Sequence, residues 1–369
     1  MRQRHRPVAA SAWARFAGRL ATGVVESVDV LREPERLRAG LWFVVADFEA
    51  GAGGRAHAWR FADVRPDDGG ARGGAPGGPW RGPAPSAWRS SMDRDAYLAA
   101  VERVRAHVRE GDVYQVNVCR VLAAPLAVAG DGAEPAADAL AARLAAGNPA
   151  PHAAAVHVSA GLPGVAPVWV VSASPELYLA LGPGPGGTVV RSGPIKGTAR
   201  TAAGLGAKDR AENVMITDLV RNDLQRVCRP GTVAVTDLLA VEQHPGLVHL
   251  VSRVRGVLAD DVAAAPDLWA RLLAGTFPPG SVSGAPKSSA LRVVAELEPV
   301  PRGPYCGAVG WVDGDAGRAE LAVGIRTFWW ADGVLRFGTG AGITWGSDPA
   351  AEWRETELKA ERLVALASG

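Results

Sequence analysis

The sequence predicts an α+β fold with antiparallel sheets. Segments typical of strands follow one another at hairpin spacing, and helical segments are mixed among them without the alternation of a doubly wound parallel sheet. The 369 residues, of which 48% are hydrophobic and 21% charged, can bury a substantial core in two domains or in one large two-layer domain. We find no internal repeat.

A Gly/Pro-rich segment interrupts the chain early. Residues 65–88 read RPDDGGARGGAPGGPWRGPAPSAW, a composition that cannot hold a helix or a central strand. We therefore predict a short N-terminal region over residues 1–64, a loop or linker over 65–88, and a large domain over 89–369. The large domain contains the candidate catalytic and binding segments.

The large domain begins with a predicted helix that Asp93 caps and Gly111 ends. Its apolar residues recur at helical spacing: Tyr97, Val101, Val104 and Val108.

The segment GDVYQVNV, which follows this helix, alternates as a strand does. Tyr114, Val116 and Val118 lie on one face. Gln115 and Asn117 lie on the other face, so an amide pair faces either solvent or a polar cavity.

Strands and helices are mixed along the rest of the chain. Further strands are predicted at PVWVVSAS, RVRGVL, AVGWV, AELAVGIRTFWWA and VLRFGTG. Helices are predicted to begin near Asp209, near Pro286 and near Pro349, with Asp348 as the cap of the last one.

Charge and cysteine content exclude several classes of protein. The 40 basic residues nearly balance the 38 acidic ones, and no long basic stripe contains aromatic residues, so nucleic acid is not an expected partner. The three cysteines are widely spaced, which is typical of a reducing compartment. Arg15 and Arg19 interrupt the segment that otherwise resembles a signal peptide, and no segment reaches the roughly 18 apolar residues of a membrane span. We expect a cytoplasmic protein.

Two predicted helices carry acidic faces. Asp209 and Glu212 are three residues apart in KDRAENVMITDLVRNDL. Glu352 and Glu355 are three apart in DPAAEWRETELKAERL, and Lys359 joins their face. If the two faces converge, four carboxylates make an oxygen-rich site for a hard cation such as Mg²⁺. Each face by itself is better explained by exposure to solvent.

Two Gly-rich segments and several isolated residues are further candidates. FPPGSVSGAPKSSALRVVAEL places a turn with Ser283 and Gly284 before a helix whose free N–H groups favour an anion, without the spacing of a Walker A loop. The glycines of GTGAGITWGSD allow backbone to approach a ligand, although a surface turn is the commoner explanation. Composition alone leaves a structural role open for each isolated residue: Lys196 in SGPIKGTAR, Glu176 in SASPELYLA, His249 in GLVHLVS, Tyr305 in RGPYCGA and Arg326 in GIRTF.

Together these segments resemble the family of chorismate-utilising enzymes, which includes anthranilate synthase component I, aminodeoxychorismate synthase component I, and the isochorismate and salicylate synthases. The resemblance extends from about Asp93 to the C-terminus, so it implies a chorismate-binding catalytic domain over 89–369. The motifs occur in uninterrupted order: GDVYQVN, SPELYL, PIKGT, KDRAENVMITDLVRNDL, HLVS, FPPGSVSGAPK, RGPYCGAVGW, GIRT, GAGI and EWRETELKA.

The resemblance implies a two-layer α/β sandwich of large antiparallel sheets with outer helices, chorismate as substrate and Mg²⁺ as cofactor. The implied metal-binding residues are Glu212 and Glu355 as direct ligands, with Asp209 and Glu352 acting through water. The implied substrate-binding residues are Gln115, Ser283, Gly284, Tyr305, Arg326, Gly340, Ala341, Gly342 and Lys359.

Two positions divide the family. Ammonia-using members have glutamine where isochorismate and salicylate synthases have a lysine base, so Gln115 implies ammonia as the nucleophile. Aminodeoxychorismate synthases have lysine in the PIKGT turn where anthranilate synthases have alanine, so Lys196 implies 4-amino-4-deoxychorismate as product. The implied catalytic residues are Lys196 as an enzyme nucleophile, Glu176 as general acid and base, and His249 packed against the ring.

The chain has no cysteine in the setting of a glutamine amidotransferase. The resemblance therefore implies a heterodimer in which a separate amidotransferase subunit supplies ammonia, and a role in 4-aminobenzoate and folate supply. Three alternatives stay open. They are anthranilate synthase component I, an aminodeoxychorismate synthase of a secondary-metabolite pathway, and a non-catalytic chorismate-binding protein.

Overall fold

The computed structural model describes residues 11–67, 79–128, 133–199, 201–244 and 247–369. These residues form 18 strands and seven helices. The strands are β1 (Ala12–Phe16), β2 (Arg19–Asp29), β3 (Leu41–Ala46), β4 (Ala56–Pro66), β5 (Arg89–Ser90), β6 (Gln115–Pro125), β7 (His152–Val158), β8 (Val168–Ser174), β9 (Leu177–Gly184), β10 (Gly187–Gly193), β11 (Ile195–Ala199), β12 (Ala234–His244), β13 (Leu247–Val257), β14 (Gly284–Ala285), β15 (Ala308–Asp313), β16 (Arg318–Val323), β17 (Thr327–Ala331) and β18 (Val334–Ile343). The helices are α1 (Arg94–Glu110), α2 (Ala137–Gly147), α3 (Ala207–Gln225), α4 (Asp260–Ala263), α5 (Leu268–Thr276), α6 (Lys287–Leu297) and α7 (Pro349–Ala367).

All strand pairings among the described residues are antiparallel, and together they connect the 18 strands. From one edge the order is β12, β13, β10 with β11, β9, β16, β15, β3, β4, β2, β1, β7, β8, β17, β18 and β6, which ends against β5 and β14. The predicted α+β class with antiparallel sheets is confirmed.

The sheet folds into two layers over a common core. One apolar cluster includes Phe43 of β3 and Trp311 of β15 together with Val118 of β6 and Ile343 of β18. Because these strands lie far apart in the strand order, their side chains can meet only if the two halves of the sheet face each other. A second cluster lies under α2 and α7, outside the β8, β17 and β18 part of the sheet.

The N-terminal strands belong to the same sheet as the rest of the chain, since β1 pairs with β7 and β3 with β15. Part of the predicted loop or linker at 65–88 lies outside the described residues, namely 68–78, and so do residues 1–10. After that gap, the indole N–H groups of Trp80 and Trp88 donate to Ala367 O and Ser368 Oγ at 2.8 and 3.1 Å. These two bonds fasten the described end of the segment to the end of α7.

Most of the predicted elements are confirmed. Asp93 caps α1 by accepting a hydrogen bond from the backbone N–H of Ala96 at 2.8 Å, and Gly111 ends the helix with φ +84°. Asp348 caps α7 in the same way through the N–H of Ala351. The predicted helices near Asp209 and Pro286 are α3 and α6. Within the described ranges, no helix has the length and apolarity needed to cross a membrane.

Two details of the strand predictions were wrong. Tyr114 does not share a buried strand face with Val116, because β6 begins at Gln115 and the Tyr114 side chain is largely exposed. AELAVGIRTFWWA is not one strand, because Arg326 adopts φ +53° and separates β16 from β17.

A buried arginine joins four separate segments of the chain. Arg302 is almost fully buried and donates to both carboxylate oxygens of Glu298 at the end of α6. Its remaining donors reach Val282 O at 2.8 Å and Asn117 O of β6 at 2.9 Å. Its own backbone N–H donates to Glu49. The guanidinium therefore fixes the position of β6 against the loop that precedes α6.

Replacing Arg302 should be far more damaging than replacing an arginine in a similar pair at the surface. We expect Arg302→Leu to lower the free energy of unfolding by about 3 to 5 kcal/mol, because it leaves the buried Glu298 carboxylate unpaired. The matched control is Arg103→Leu, whose pair with Glu296 is half exposed on both sides, and it should cost under about 1 kcal/mol. Denaturant unfolding of both variants measures the difference. Equal losses would contradict the role given to Arg302.

Candidate active site

Lys196 lies where β11 crosses the first turn of α3. The next residue, Gly197, has φ +85°, and a Cβ there would lie 2.8 Å from the Cβ of Asp209. Only glycine allows this approach, which brings the lysine close to the acidic face of α3. Burial lowers the pKa of Lys196, and Lys359 adds to that effect, while Glu212, Glu176 and Glu355 oppose it.

Glu176 lies beside this lysine in the turn between β8 and β9. Its side chain is buried, and burial raises its pKa to about 7. A hydrogen bond from the Ser281 hydroxyl, the charge of Lys196 and a hydrogen bond from the Ile195 backbone N–H all act in the opposite direction. The carboxyl can therefore both hold and release a proton near neutral pH.

His249 lies on the neighbouring strand. It is buried in β13, and its cross-strand partner in β11 is Thr198, two residues beyond Lys196. The structure thus brings Lys196 and Glu176 together and places His249 on the strand that pairs with the lysine's strand.

The acidic faces of α3 and α7 also meet near Lys196, and a lysine that sequence reasoning missed lies between them. Lys208 Nζ is 3.2 Å from Glu352 Oε1 and 3.7 Å from Glu212 Oε1. The sequence feature that could have identified Lys208 is its position directly before Asp209. On the other side of the cleft, Lys359 Nζ lies 2.7 Å from Glu355 Oε1 and donates to Gly340 O at 3.0 Å.

The four carboxylates have the donor chemistry of a site for a hard cation. Asp209 already accepts a hydrogen bond from the Gly206 N–H at 2.8 Å as part of the α3 cap. Among the described residues, no three of the four carboxylates approach one another within 4.8 Å; only His107, Glu110 and Asp112 at the end of α1 do so. Lys208 nevertheless shows that the meeting point of the helices favours positive charge, and oxygen ligands are those that Mg²⁺ prefers. The donor set fits Mg²⁺.

Burial and charge act on two of these carboxylates in different ways. Burial raises the pKa of Glu212, against the charges of Lys196 and Lys208. Burial also acts to raise the pKa of Glu355, but Lys359 and the other lysines outweigh it, so the net shift is downward.

The opposite wall of the site is formed by β6 and β18. Gln115 is completely buried, and neither its amide nitrogen nor its amide oxygen has a hydrogen-bond partner among the residues that the structure describes. Gly342 lies against it, so that a Cβ at this position would be 2.1 Å from Gln115 Nε2. Buried polar groups in proteins are nearly always paired, so an unpaired amide here indicates a place for a bound molecule.

The Gly-rich turn before α6 packs on the same wall. Gly284 pairs with Val116 of β6, and Ser283 is buried with its hydroxyl donating to Pro279 O at 3.1 Å. Ala341, between the glycines of β18, is buried as well.

Arg326 and Tyr305 have different surroundings. No described residue makes an ion pair or hydrogen bond with the Arg326 guanidinium, and burial alone lowers its pKa. Such a cation is suited to an anionic ligand. Tyr305 is buried in the core, where its ring would contact any side chain at Gly338 and its hydroxyl lies 3.9 Å from Cys119 Sγ. Among the described residues, Tyr305 contacts the β6 and β18 side of the core and makes no hydrogen bond with Arg326.

A half-buried lysine beside a buried carboxyl, two acidic helix faces and an unpaired guanidinium together form a site typical of an enzyme acting on a small anionic molecule. The chain belongs to the chorismate-binding enzyme family: the family model described as "chorismate binding enzyme" matches residues 75–365.

The curated relatives include both anthranilate synthase components and aminodeoxychorismate synthase components. The chain is 38% identical over 289 residues to anthranilate synthase component 1 of Streptomyces coelicolor, which covers 75% of this chain and 52% of that protein. It is 35% identical over 291 residues to aminodeoxychorismate synthase component 1 of Klebsiella aerogenes, covering 76% of this chain and 59% of that protein. The chain thus spans somewhat over half the length of these relatives.

Solved structures share the fold. Anthranilate synthase component I from Streptococcus pneumoniae superposes with a TM-score of 0.75 at 21% identity, covering 99% of this chain and 95% of that one. The menaquinone-specific isochorismate synthase of Escherichia coli gives 0.72 at 18% identity, covering 99% and 90%. The predicted two-layer sandwich of antiparallel sheets with outer helices is confirmed.

The raised pKa of Glu176 predicts a specific pH dependence of stability. Because the folded protein holds this proton more tightly than the unfolded chain, stability falls as pH rises from about 4.5 to about 7. Glu176→Gln removes the ionisation, so it should leave stability nearly unchanged at pH 5 and raise it at pH 8, by at most about 3 kcal/mol. Denaturant unfolding at the two pH values tests this. Glu296→Gln, at an exposed position, is the control, and a Glu176→Gln effect independent of pH would refute the prediction.

Proposed function

We propose that the protein is the chorismate-converting component of an aminodeoxychorismate synthase. It would replace the C4 hydroxyl of chorismate by ammonia to give 4-amino-4-deoxychorismate. The observation that carries the proposal is the placement of Lys196 beside Glu176 in one buried cleft, next to the acidic faces of α3 and α7. An amine at this point of the chain provides a nucleophile that an anthranilate synthase does not require.

Chorismate carries two carboxylates, and the cleft has a complementary group for each. The half-buried guanidinium of Arg326, which no described residue pairs, is suited to one carboxylate. Glu212 and Glu355 would hold Mg²⁺ for the other, with Asp209 and Glu352 acting through water. When bound, Mg²⁺ supplies positive charge that anchors the ring carboxylate and withdraws electrons from the ring.

Lys196 would react as a neutral amine. Its addition to C2 shifts the ring double bonds and expels the C4 hydroxyl, which leaves as water after accepting a proton from Glu176. Ammonia then adds at C4, the double bonds return, and the C2–N bond to Lys196 breaks. Two successive displacements retain the configuration at C4, and burial supports the reaction because it lowers the pKa of the lysine.

Glu176 would carry protons in both halves of the reaction. With a pKa of about 7, it can be protonated before the hydroxyl leaves and ionised when ammonia must lose a proton. His249, buried on the adjacent strand, would pack against the ring. The unpaired amide of Gln115 would bind the incoming nucleophile or the substrate, without acting as a base.

A separate glutamine amidotransferase subunit would supply the ammonia. Relatives named component 1 support this proposal, since that name indicates a second component. The product would serve 4-aminobenzoate and folate supply or a secondary-metabolite pathway. The second candidate function is anthranilate synthase component 1, which the Streptomyces coelicolor relative favours.

Product analysis separates the two functions. With chorismate, Mg²⁺ and ammonium, we expect a product that aminodeoxychorismate lyase converts to 4-aminobenzoate, and no turnover with glutamine alone. Anthranilate and pyruvate would instead assign the second function. Glu176→Gln should lower kcat by about 10²- to 10⁴-fold, whereas Glu296→Gln should not. Without ammonium, chorismate should increase the mass of the Lys196 peptide, and this adduct should be absent in Lys196→Met.

The metal assignment can be tested by binding instead of turnover. We expect Glu355→Gln and Glu212→Gln to abolish or strongly weaken Mg²⁺ binding measured by calorimetry with chorismate and no ammonium. Asp209→Asn should weaken it by about 10- to 100-fold, as expected for a residue acting through water. Glu110→Gln removes a carboxylate from the exposed acidic group at the end of α1 and is the control. Equal losses in Glu110→Gln and Glu355→Gln would exclude the proposed site.

A further inference from the structure

A second cleft, with a volume of about 460 Å³, opens between the two layers of the sheet. β3 and β4 form one wall, and β8 and β17 form the other. It lies at the opposite strand ends from the candidate active site, because β8 runs from Val168 at the cleft to Ser174 near Glu176. None of the residues assigned to chorismate or Mg²⁺ lines it. The volume is in the range of small-molecule sites.

The walls of this cleft are aromatic and rigid. Four of the 12 tryptophans of the chain line it: Trp59, Trp169, Trp329 and Trp330. The indole N–H groups of Trp59 and Trp169 are bound to Ala166 O and Pro135 O at 2.7 and 2.8 Å. The rings are therefore held in place before any ligand arrives, which favours binding because little side-chain entropy remains to be lost.

The charges that line the cleft are mostly negative. They are the carboxylates of Asp47, Glu134 and Asp332, against the single guanidinium of Arg55. His57 also lines the cleft, but burial lowers its pKa and favours the neutral ring. Glu134 is already bound by His157 at 2.6 Å and by the backbone N–H of Ala160.

Asp47 is a mostly buried carboxylate whose hydrogen bonds from the described residues come from Arg55. Its side chain is 13% exposed, and its contact with Arg55 is long, 3.4 Å between Nε and Oδ2. The Arg55 side chain is itself 65% exposed, so it can move into solvent at little cost. Burial raises the pKa of Asp47 even though Arg55 opposes that shift. A cation in the cleft would therefore stabilise the ionised form of this carboxylate.

We propose that this cleft binds a small organic cation, with its ammonium group on Asp47 and an aromatic or apolar body against the tryptophans. A carboxylate at one point of an aromatic wall suits such a ligand, because the ring faces attract cations and the apolar body gains from leaving water. Arg55 would yield its place on Asp47 to the ligand. This site is independent of the reaction proposed above.

Two probes with the same phenylethyl body and opposite charge test the proposal: 2-phenylethylamine and 3-phenylpropanoate. Calorimetric titration of the full chain at pH 7.5 should detect binding of the amine and none of the carboxylate. Asp47→Asn should weaken amine binding at least tenfold. Asp63→Asn, which removes a carboxylate from an exposed position of β4, should leave amine binding unchanged.

Two further variants keep the test decisive if Asp47→Asn is poorly folded. Arg55→Ala removes the competing cation and should tighten amine binding, an effect that a merely structural role for Arg55 would not produce. Trp329→Leu should weaken it. Failure of the amine to bind, equal binding of the carboxylate, or an amine affinity that neither Asp47→Asn nor Arg55→Ala changes would each overturn the proposal.

Discussion

The buried guanidinium of Arg302 is the interaction on which the substrate side of the molecule depends. It is held in place by Glu298, and it binds carbonyl oxygens from β6 and from the turn before α6. These two segments carry Gln115 and Ser283. A charge buried this deeply is tolerated only when all its donors are satisfied, so the network permits one relative placement of β6 and the turn. The Arg302 network therefore holds Gln115 and Ser283 in fixed positions relative to each other.

The second constraint is shared burial of groups with opposite charge. Burial shifts the pKa of Glu176 upward and that of Lys196 downward, so the two groups are brought closer together in proton affinity. In the proposed reaction, a proton would then move between the substrate and either group at a smaller free-energy cost than in water. The acidic faces of α3 and α7 limit this effect, because their charges favour protonated Lys196. Two opposing effects therefore act on the pKa of Lys196: burial favours the neutral, reactive amine, and the nearby carboxylates favour the protonated form.

Sequence reasoning found what depends on local pattern and on motifs. The limits of α1 were predictable because Asp93 and Gly111 act on neighbouring backbone groups. The meeting of the two acidic helices was only a possibility until the fold placed α3 beside α7. Lys208 was missed because its partner Glu352 is 144 residues away. The cleft around Asp47 was missed for the same reason, since its walls come from strands far apart in sequence. The separation of β16 from β17 at Arg326 depends on a backbone conformation that composition does not reveal.

The division of the relatives between two reactions follows from how the site is built. Identities of 38% to an anthranilate synthase component and 35% to an aminodeoxychorismate synthase component differ too little to choose between the reactions. Overall identity measures similarity across the whole fold, and a shared fold does not by itself determine which reaction a site performs. The binding of chorismate that we propose for Arg326 and the acidic helices would likewise be common to both reactions. The reactions differ in where ammonia ends on the ring, and in the mechanism that we propose this depends on whether an enzyme amine reacts at C2. Under that proposal, the Lys196 amine on β11 bears more directly on the product than the overall identities do.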